Sequence, residues 1–244
     1  MNERILVTNG DCAFNQQLST YLLEKGFVVT LLFQDRSVAE SYQSTLEEAW
    51  RTRFQWMAGV ELVQEAEEVV GQTVAGMGGL DVLINGDEGM DEMILFEQNP
   101  MELGERIADR FRIMFRLNQA VAAHMIKRKS GRILFPIVYD ALSYAGYPAS
   151  PILNQGKISL MKCLSRELSA FKITVNSVTF GYYRDGFPTD VIRNRRKMLQ
   201  IYGLKVPVPS FREMFAVMEM LIRSPAGLIG GQNLHVGVGI ETVL

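Results

Sequence analysis

Short runs of apolar residues alternate with longer stretches of helical periodicity along almost the entire chain. Arg4–Thr8, Phe27–Phe33, Phe54–Met57, Asp81–Asn85, Arg132–Val138, Ile173–Thr179 and Asn233–Val236 read as strands. Their Val, Ile, Leu and Phe follow one another with little polar alternation, the pattern of parallel strands covered on both faces. Between them, apolar positions recur at three- and four-residue intervals over roughly 14–25, 38–50, 62–75, 103–128, 151–170 and 211–223. This alternation predicts an α/β fold: a Rossmann-like, doubly wound parallel sheet of about seven strands with helices on both faces. No repeat or low-complexity tract divides the chain, so 1–244 is expected to form a single domain. The glycines and prolines of 182–209 predict a lid-like segment over the strand ends.

Two of these helices carry more apolar surface than one contact with a sheet uses. Spaced at 100° per residue, Ile107, Phe111, Ile113, Met114, Phe115, Leu117, Ala120, Val121, Ala122, Met125 and Ile126 cover roughly two-thirds of the circumference. The following helix repeats the pattern with Ile158, Leu160, Met161, Cys163, Leu164 and Leu168. The excess implies a second buried contact, either within this chain or with another protomer.

Composition narrows the function classes. A chain of 244 residues, 48% hydrophobic, can bury a core without disulfides or metals. Its formal charge of -2 argues against a nucleic-acid footprint, which needs a strongly basic face. Cys12 and Cys163 lie far apart without CxxC spacing, which gives neither a disulfide framework nor a zinc site and fits a cytoplasmic setting. Met1-Asn2-Glu3-Arg4 runs directly into a strand pattern, so no secretory signal is expected, and no apolar run approaches a membrane span.

Six segments, in order, resemble the short-chain dehydrogenase/reductase family over essentially the full length. Val7-Thr8-Asn9-Gly10 sits at the family's first βα turn, and Leu80-Asp81-Val82-Leu83-Ile84-Asn85 resembles its fourth strand. Gly131-Arg132-Ile133-Leu134 follows a long helix whose Asn118 matches the asparagine of the family's catalytic tetrad. Lys157 and Ser165-Arg166-Glu167-Leu168 match the helix of the active-site lysine. Ile173–Val178 and Ile229–Val236 complete the series.

The resemblance also marks what is missing. The family's three nucleotide-binding glycines read Asn9, Ala13 and Asn15. Asn9 still tolerates a left-handed backbone, whereas Ala13 and Asn15 place side chains where a phosphate or strand packs. Asp11 puts a negative charge near the helix that would receive that phosphate, and capping that helix is its simpler reading. The ribose-binding acid falls at Phe33, with Gln34 and Asp35 following; Asp35 reads as a solvated turn residue or, with the register shifted, as that acid. Asn85-Gly86-Asp87-Glu88 replaces the family's Asn-Asn-Ala-Gly and sets two carboxylates beside the expected diphosphate. The family's serine falls near Val138, and its Tyr-x-x-x-Lys pair reads Leu153-Asn154-Gln155-Gly156-Lys157. Leucine has no proton to exchange, and Tyr139, Tyr144 and Tyr147 lack the helical spacing to Lys157. Asn118 and Lys157 alone read as a fold remnant and a solvated or interface lysine. The Pro-Gly after the sixth strand is Phe180-Gly181, and the terminal Asp-Gly-Gly is Gly237-Val238-Gly239.

The resemblance then implies a catalytically inactive subunit that binds no cofactor or metal itself and pairs with an active paralogue carrying NAD(P). In this family the helices at about 103–128 and 151–170 form one dimer interface, and the last helix and strand form another. Degenerate members of α₂β₂ hydroxyacyl-CoA dehydrogenases, including those of anaerobic toluene degradation, and paired ketoreductases of antibiotic biosynthesis follow this plan. Two alternatives stand beside it. One is non-hydride chemistry on the same fold, as in halohydrin dehalogenases, although those keep a serine and a tyrosine. The other is a nucleotide-binding sensor that uses Asn9, Gly10 and Lys157. The basic cluster Arg193, Arg195, Arg196 and Lys197 reads as a solvated helix face or as a contact for CoA phosphates.

Overall fold

In a computed structural model, residues 2–138, 148, 150–198, 207–225 and 227–237 are described. Seven strands form one sheet: β1 (Arg4–Val7), β2 (Val28–Phe33), β3 (Phe54–Ala58), β4 (Val82–Ile84), β5 (Gly131–Val138), β6 (Ile173–Phe180) and β7 (Asn233–Val236). Their order is β3-β2-β1-β4-β5-β6-β7, and every pairing is parallel. The order reverses direction between β1 and β4, which opens a crevice at the strands' carboxyl ends, the usual ligand position in open α/β sheets.

Helices α1 (Ala13–Glu24), α2 (Arg36–Thr45), α3 (Glu48–Arg51), α4 (Leu62–Met77), α5 (Glu92–Gln98), α6 (Pro100–Arg128), α7 (Pro151–Leu168), α8 (Thr189–Met198) and α9 (Phe211–Arg223) make the crossovers. Two apolar layers result. On one face, Leu18 and Leu22 of α1 and Phe215 and Met218 of α9 pack on Ile5, Val29 and Leu31. On the other, Val69 of α4, Val121 and Met125 of α6 and Met161 of α7 pack on Leu6, Leu83 and Ile133. Every residue of β6 is buried, its four polar residues Thr174, Asn176, Ser177 and Thr179 included.

The structure corrects several element expectations. The helix expected over 38–50 breaks at Leu46, whose extended backbone (ψ 141°) carries its side chain into the core. Just before the break, the hydroxyls of Ser44 and Thr45 donate back to the carbonyls of Ser41 and Tyr42, which competes with continuing the helix. The long helix starts at Pro100 rather than 103: Asn99 caps it by accepting from the Glu102 N–H, and proline fits its first turn. Helix α5 was not expected, and the irregular 182–209 stretch contains α8. No helix among the described residues is long and apolar enough to cross a membrane, and none of their side chains cluster as a metal site.

One ion cluster ties the start of the sheet to α6. Asp81 accepts from Arg4 Nε at 2.7 Å and from Arg128 at 2.8 Å. Burial alone would raise the Asp81 carboxyl, but hydrogen bonds from Arg4 and Arg128 outweigh it and hold it at about 2. Because that value lies below the usual carboxylate range, the cluster stabilises the fold above about pH 4, and the contribution disappears as pH falls through about 2. Asp81→Asn should cost about 1 to 2 kcal/mol in urea unfolding at neutral pH. The gap to the unaltered chain should close between about pH 4 and about pH 2; a gap constant over that range would disprove the assignment.

Candidate functional site

The crevice lies between the β1–α1 turn and the β4–α5 loop, and polar side chains draw these two segments together. Asn9 holds a left-handed backbone at φ 58°, as its residue type allows, and its Nδ2 donates to the Gly86 carbonyl at 2.9 Å. Asn15, fully buried, donates from Nδ2 to the carbonyls of Asn9 (2.8 Å) and Asp87 (2.7 Å) and accepts from the Asp87 N–H at 2.9 Å. The Gly86 N–H donates to the Thr8 hydroxyl at 2.9 Å. A Cβ on Gly86 would run into the Thr8 carbonyl oxygen and the Asn15 amide, so only glycine fits there. A glycine at position 15 would leave these donors and acceptors facing the crevice; asparagine satisfies them internally.

The outer half of the crevice is closed in the same way. Phe33 is buried with its ring against Gly10, where a Cβ would lie 2.8 Å from it. It therefore packs as core and offers no acceptor to a sugar. Asp11 does not cap α1: its carboxylate accepts the N–H groups of Gln34 (2.6 Å) and Asp35 (3.1 Å) at the end of β2. Asp35 caps α2 by accepting from the Ser37 N–H at 2.7 Å, so it is not merely a turn residue. Ala13 is exposed at the start of α1, which has no side-chain cap. Asp87 stands near this helix end, accepting from the Cys12 thiol at 3.5 Å and the Gly89 N–H at 3.0 Å. Burial, aided by the Asp87 charge, pushes the Cys12 thiol up to about 12, so it stays protonated and is no nucleophile. A resident carboxylate thus occupies the neighbourhood where a helix N-terminus would favour a phosphate.

At the inner end the expected roles of two residues are overturned. Lys157 is completely buried rather than solvated or at an interface, and its ammonium pairs with Glu88, whose side chain is 4% exposed. Glu88 therefore does not lie beside an open diphosphate position. Burial pushes the Glu88 carboxyl up, and the neighbouring Lys157 charge only partly opposes this. An uncompensated ammonium in an apolar interior is costly, so a chain that keeps the lysine there needs such a partner.

Leu153 has no exposed surface and packs in the same core layer as Phe135, Ile137 and Met161. Val138 ends β5 half-buried, with no hydroxyl to offer. Asn118 and Asn85 are buried and exchange amide hydrogen bonds at 2.8 and 3.3 Å, and Asn118 also donates to the Met114 carbonyl. They join the α6 helix to the end of β4. Glu92 escaped the sequence reading altogether. It is buried at the start of α5 and accepts the Ile152 and Leu153 N–H groups at 2.9 and 2.8 Å, capping α7 from another helix. It carries no local signal, because the cap joins two helices far apart in the chain. Tyr139, Tyr144, Tyr147, Val238 and Gly239 lie outside the described residues.

Among the described residues, the crevice holds a cavity of about 240 Å³ bordered by Cys12, Asp87, Met90, Val138, Tyr183 and Phe211. That is below the roughly 300 Å³ at which ligand pockets begin, and far short of a dinucleotide. The residues present therefore do not fit NAD(P) in its usual place: the glycine turn is filled, the β2 amides are taken, and the cavity wall carries a carboxylate.

The short chain dehydrogenase family model matches residues 3–197. The chain belongs to this family. Among similar short-chain dehydrogenases, the 3-oxoacyl-[acyl-carrier-protein] reductase of Staphylococcus epidermidis is 25% identical over 98% of this chain and 99% of its own length. The same enzyme of Staphylococcus aureus is 24% identical over 98% of each. That of Salmonella typhimurium is 27% identical over 72% of this chain and 73% of its own. Solved structures share the fold. ElxO with NADP bound superposes with a TM-score of 0.75 at 18% identity, covering 97% of both chains. Glucose dehydrogenase of Caenorhabditis elegans gives 0.74 at 17%, covering 96% of both.

The buried pair gives a direct test of this site. Lys157→Met should destabilise the fold by about 3 to 5 kcal/mol, because it strands Glu88, while Lys157→Met with Glu88→Met should recover most of that loss. Urea unfolding of the three proteins decides it, and equal losses in both variants would refute the pairing.

Proposed function

We propose that this short-chain dehydrogenase is a non-catalytic subunit of a hetero-oligomeric, NAD(P)-dependent hydroxyacyl-CoA or hydroxyacyl-carrier dehydrogenase. An active paralogue binds the cofactor and transfers the hydride; this chain binds none and supports its partner. The observation that carries the reading is Leu153: the position of the family's phenol holds a leucine with no exposed surface, inside a packed core. The Lys157 ammonium, which would tune such a phenol, is held instead by Glu88. The seam made by Asn9, Asn15 and Thr8 adds to this, since a dinucleotide would have to break it to enter.

The substrate class rests on likeness to 3-oxoacyl-[acyl-carrier-protein] reductases. The non-catalytic subunit of the 2-[hydroxy(phenyl)methyl]succinyl-CoA dehydrogenase of anaerobic toluene degradation is one specific assembly of this kind. The partner would cover α6 and α7, where Phe115 and Ile152 remain 54% and 55% exposed, with α9 and β7 forming a second contact. Phe111 and Ile113 of α6 are only half-buried, so the wide apolar stripe is not fully used within the chain.

Titration of the purified chain with NADH and NADPH, followed by cofactor fluorescence, should show no saturable nicotinamide binding up to millimolar concentration. Coexpression with an intact paralogue should yield a stable mixed oligomer. Turnover by the isolated chain that vanishes in a folded Asn118→Ala variant would overturn the proposal.

A further inference from the structure

One stretch following Asp190, in the first turn of α8, carries several cations and no carboxylate. Residues 191–212 contain Arg193, Arg195, Arg196, Lys197, Lys205 and Arg212 and no carboxylate, within a protein whose formal charge is -2. Helix α8 supplies four of the six. Cations in its last turn complement the helix dipole, which accounts for Arg195, Arg196 and Lys197 as residue types. It does not account for where Arg184 lies: this residue precedes α8, yet it borders the same cavity as Arg193 and Arg196.

That cavity measures about 530 Å³ and is completed by Phe187, Thr189 and Ile192. It is separate from the crevice. Along 183–187, Tyr183, Asp185 and Gly186 line the crevice cavity, whereas Arg184 and Phe187 line this one. The segment is therefore a wall between two chambers of opposite character. The crevice side carries Asp87 and Asp185, and the outer side carries three arginines and a hydroxyl.

The arginines differ in how far they are already neutralised. Arg184 pairs with Glu213 at 2.9 Å and donates to the Val208 carbonyl. Arg195 is buried with its guanidinium 3.8 Å from the Phe187 ring centre, which fixes that ring as one wall. Arg193 is exposed and has no carboxylate partner among the described residues. Arg196 is half-buried, and its Nε is shielded from solvent without a hydrogen-bond partner. A buried guanidinium nitrogen left unpaired costs stability that an acceptor would recover. Planar guanidinium forks donate paired N–H groups in a geometry that matches phosphate oxygens.

We propose that this outer cavity binds a phosphate-bearing small molecule. Its phosphate lies among Arg184, Arg193 and Arg196, and its carbon portion lies against Phe187 and Ile192. The inference rests on the arginine cavity alone and stands whether or not the chain is a non-catalytic subunit.

Calorimetric titration at low ionic strength tests it, with inorganic pyrophosphate as the bare anion and coenzyme A as a phosphate ester bearing a carbon portion. Both should bind, coenzyme A more tightly, and affinity should fall at least about tenfold in Arg193→Gln/Arg196→Gln. Raising salt from about 50 to about 200 mM should weaken both in the unaltered chain, which keeps the test independent of the variant's folding. Overturning results are no binding of either probe at millimolar concentration, equal affinity for both, or unchanged affinity in a folded double variant. Binding of heparin without either small probe would also overturn it, marking a polyanion surface instead. Nicotinamide fluorescence does not report on this cavity, so failure here and failure of the subunit reading remain distinguishable.

Discussion

The structure of the crevice depends on the buried amide of Asn15. A single side chain with two donors and an acceptor spans the β1–α1 turn and the β4–α5 loop, and it is satisfied by the Asn9 and Asp87 backbones. Once those loops are joined, Gly86 must be glycine, and the Gly86 N–H can reach Thr8. The next residues, Asp87 and Glu88, are then delivered towards α1 and α7 respectively. Each buried hydrogen bond contributes only about 1 kcal/mol net, but opening the seam would leave several polar groups unsatisfied together. The closed state is therefore favoured more by the cost of opening than by the strength of any one bond.

The buried Lys157–Glu88 pair follows from the same closure. A pair of this kind is weak as a source of stability, since the cost of desolvating both charges offsets most of their attraction. Its consequence is specificity. With Glu88 on the lysine, Leu153 one helical turn earlier can be fully apolar, and the inner end of the crevice becomes ordinary core. Glu92 reinforces this by capping α7 from α5, which fixes the helix carrying both Leu153 and Lys157. The elements that position an active site elsewhere in the family are retained here, joined by contacts internal to the chain.

The molecule also separates its charges. Carboxylates Asp11, Asp35 and Asp87 surround the crevice, whereas the arginines collect on the outer side of the 183–187 wall. The division matters at close range, because screening at physiological salt limits exposed charges to about 8 Å. An anion approaching the strand ends would meet repulsion over the crevice and attraction beside α8.

The sequence by itself determined the sheet, its parallel sense and nearly every strand, because strands covered on both faces are rich in Val, Ile, Leu and Phe. It also determined that positions 138 and 153 carry no hydroxyl and that 9, 13 and 15 are not glycine, since residue identity alone settles that. The partners were decided only by tertiary structure. Asp11 could be read locally as a helix cap, yet its acceptors meet the amides of Gln34 and Asp35 from another element. Lys157 read as solvated because a lysine's default place is water, and its partner lies 69 residues away along the chain. Glu92 gave no signal, since the helix it caps begins far along the sequence. Local physics governs backbone pattern and residue chemistry, but which buried charge meets which depends on contacts that exist only once the chain has folded.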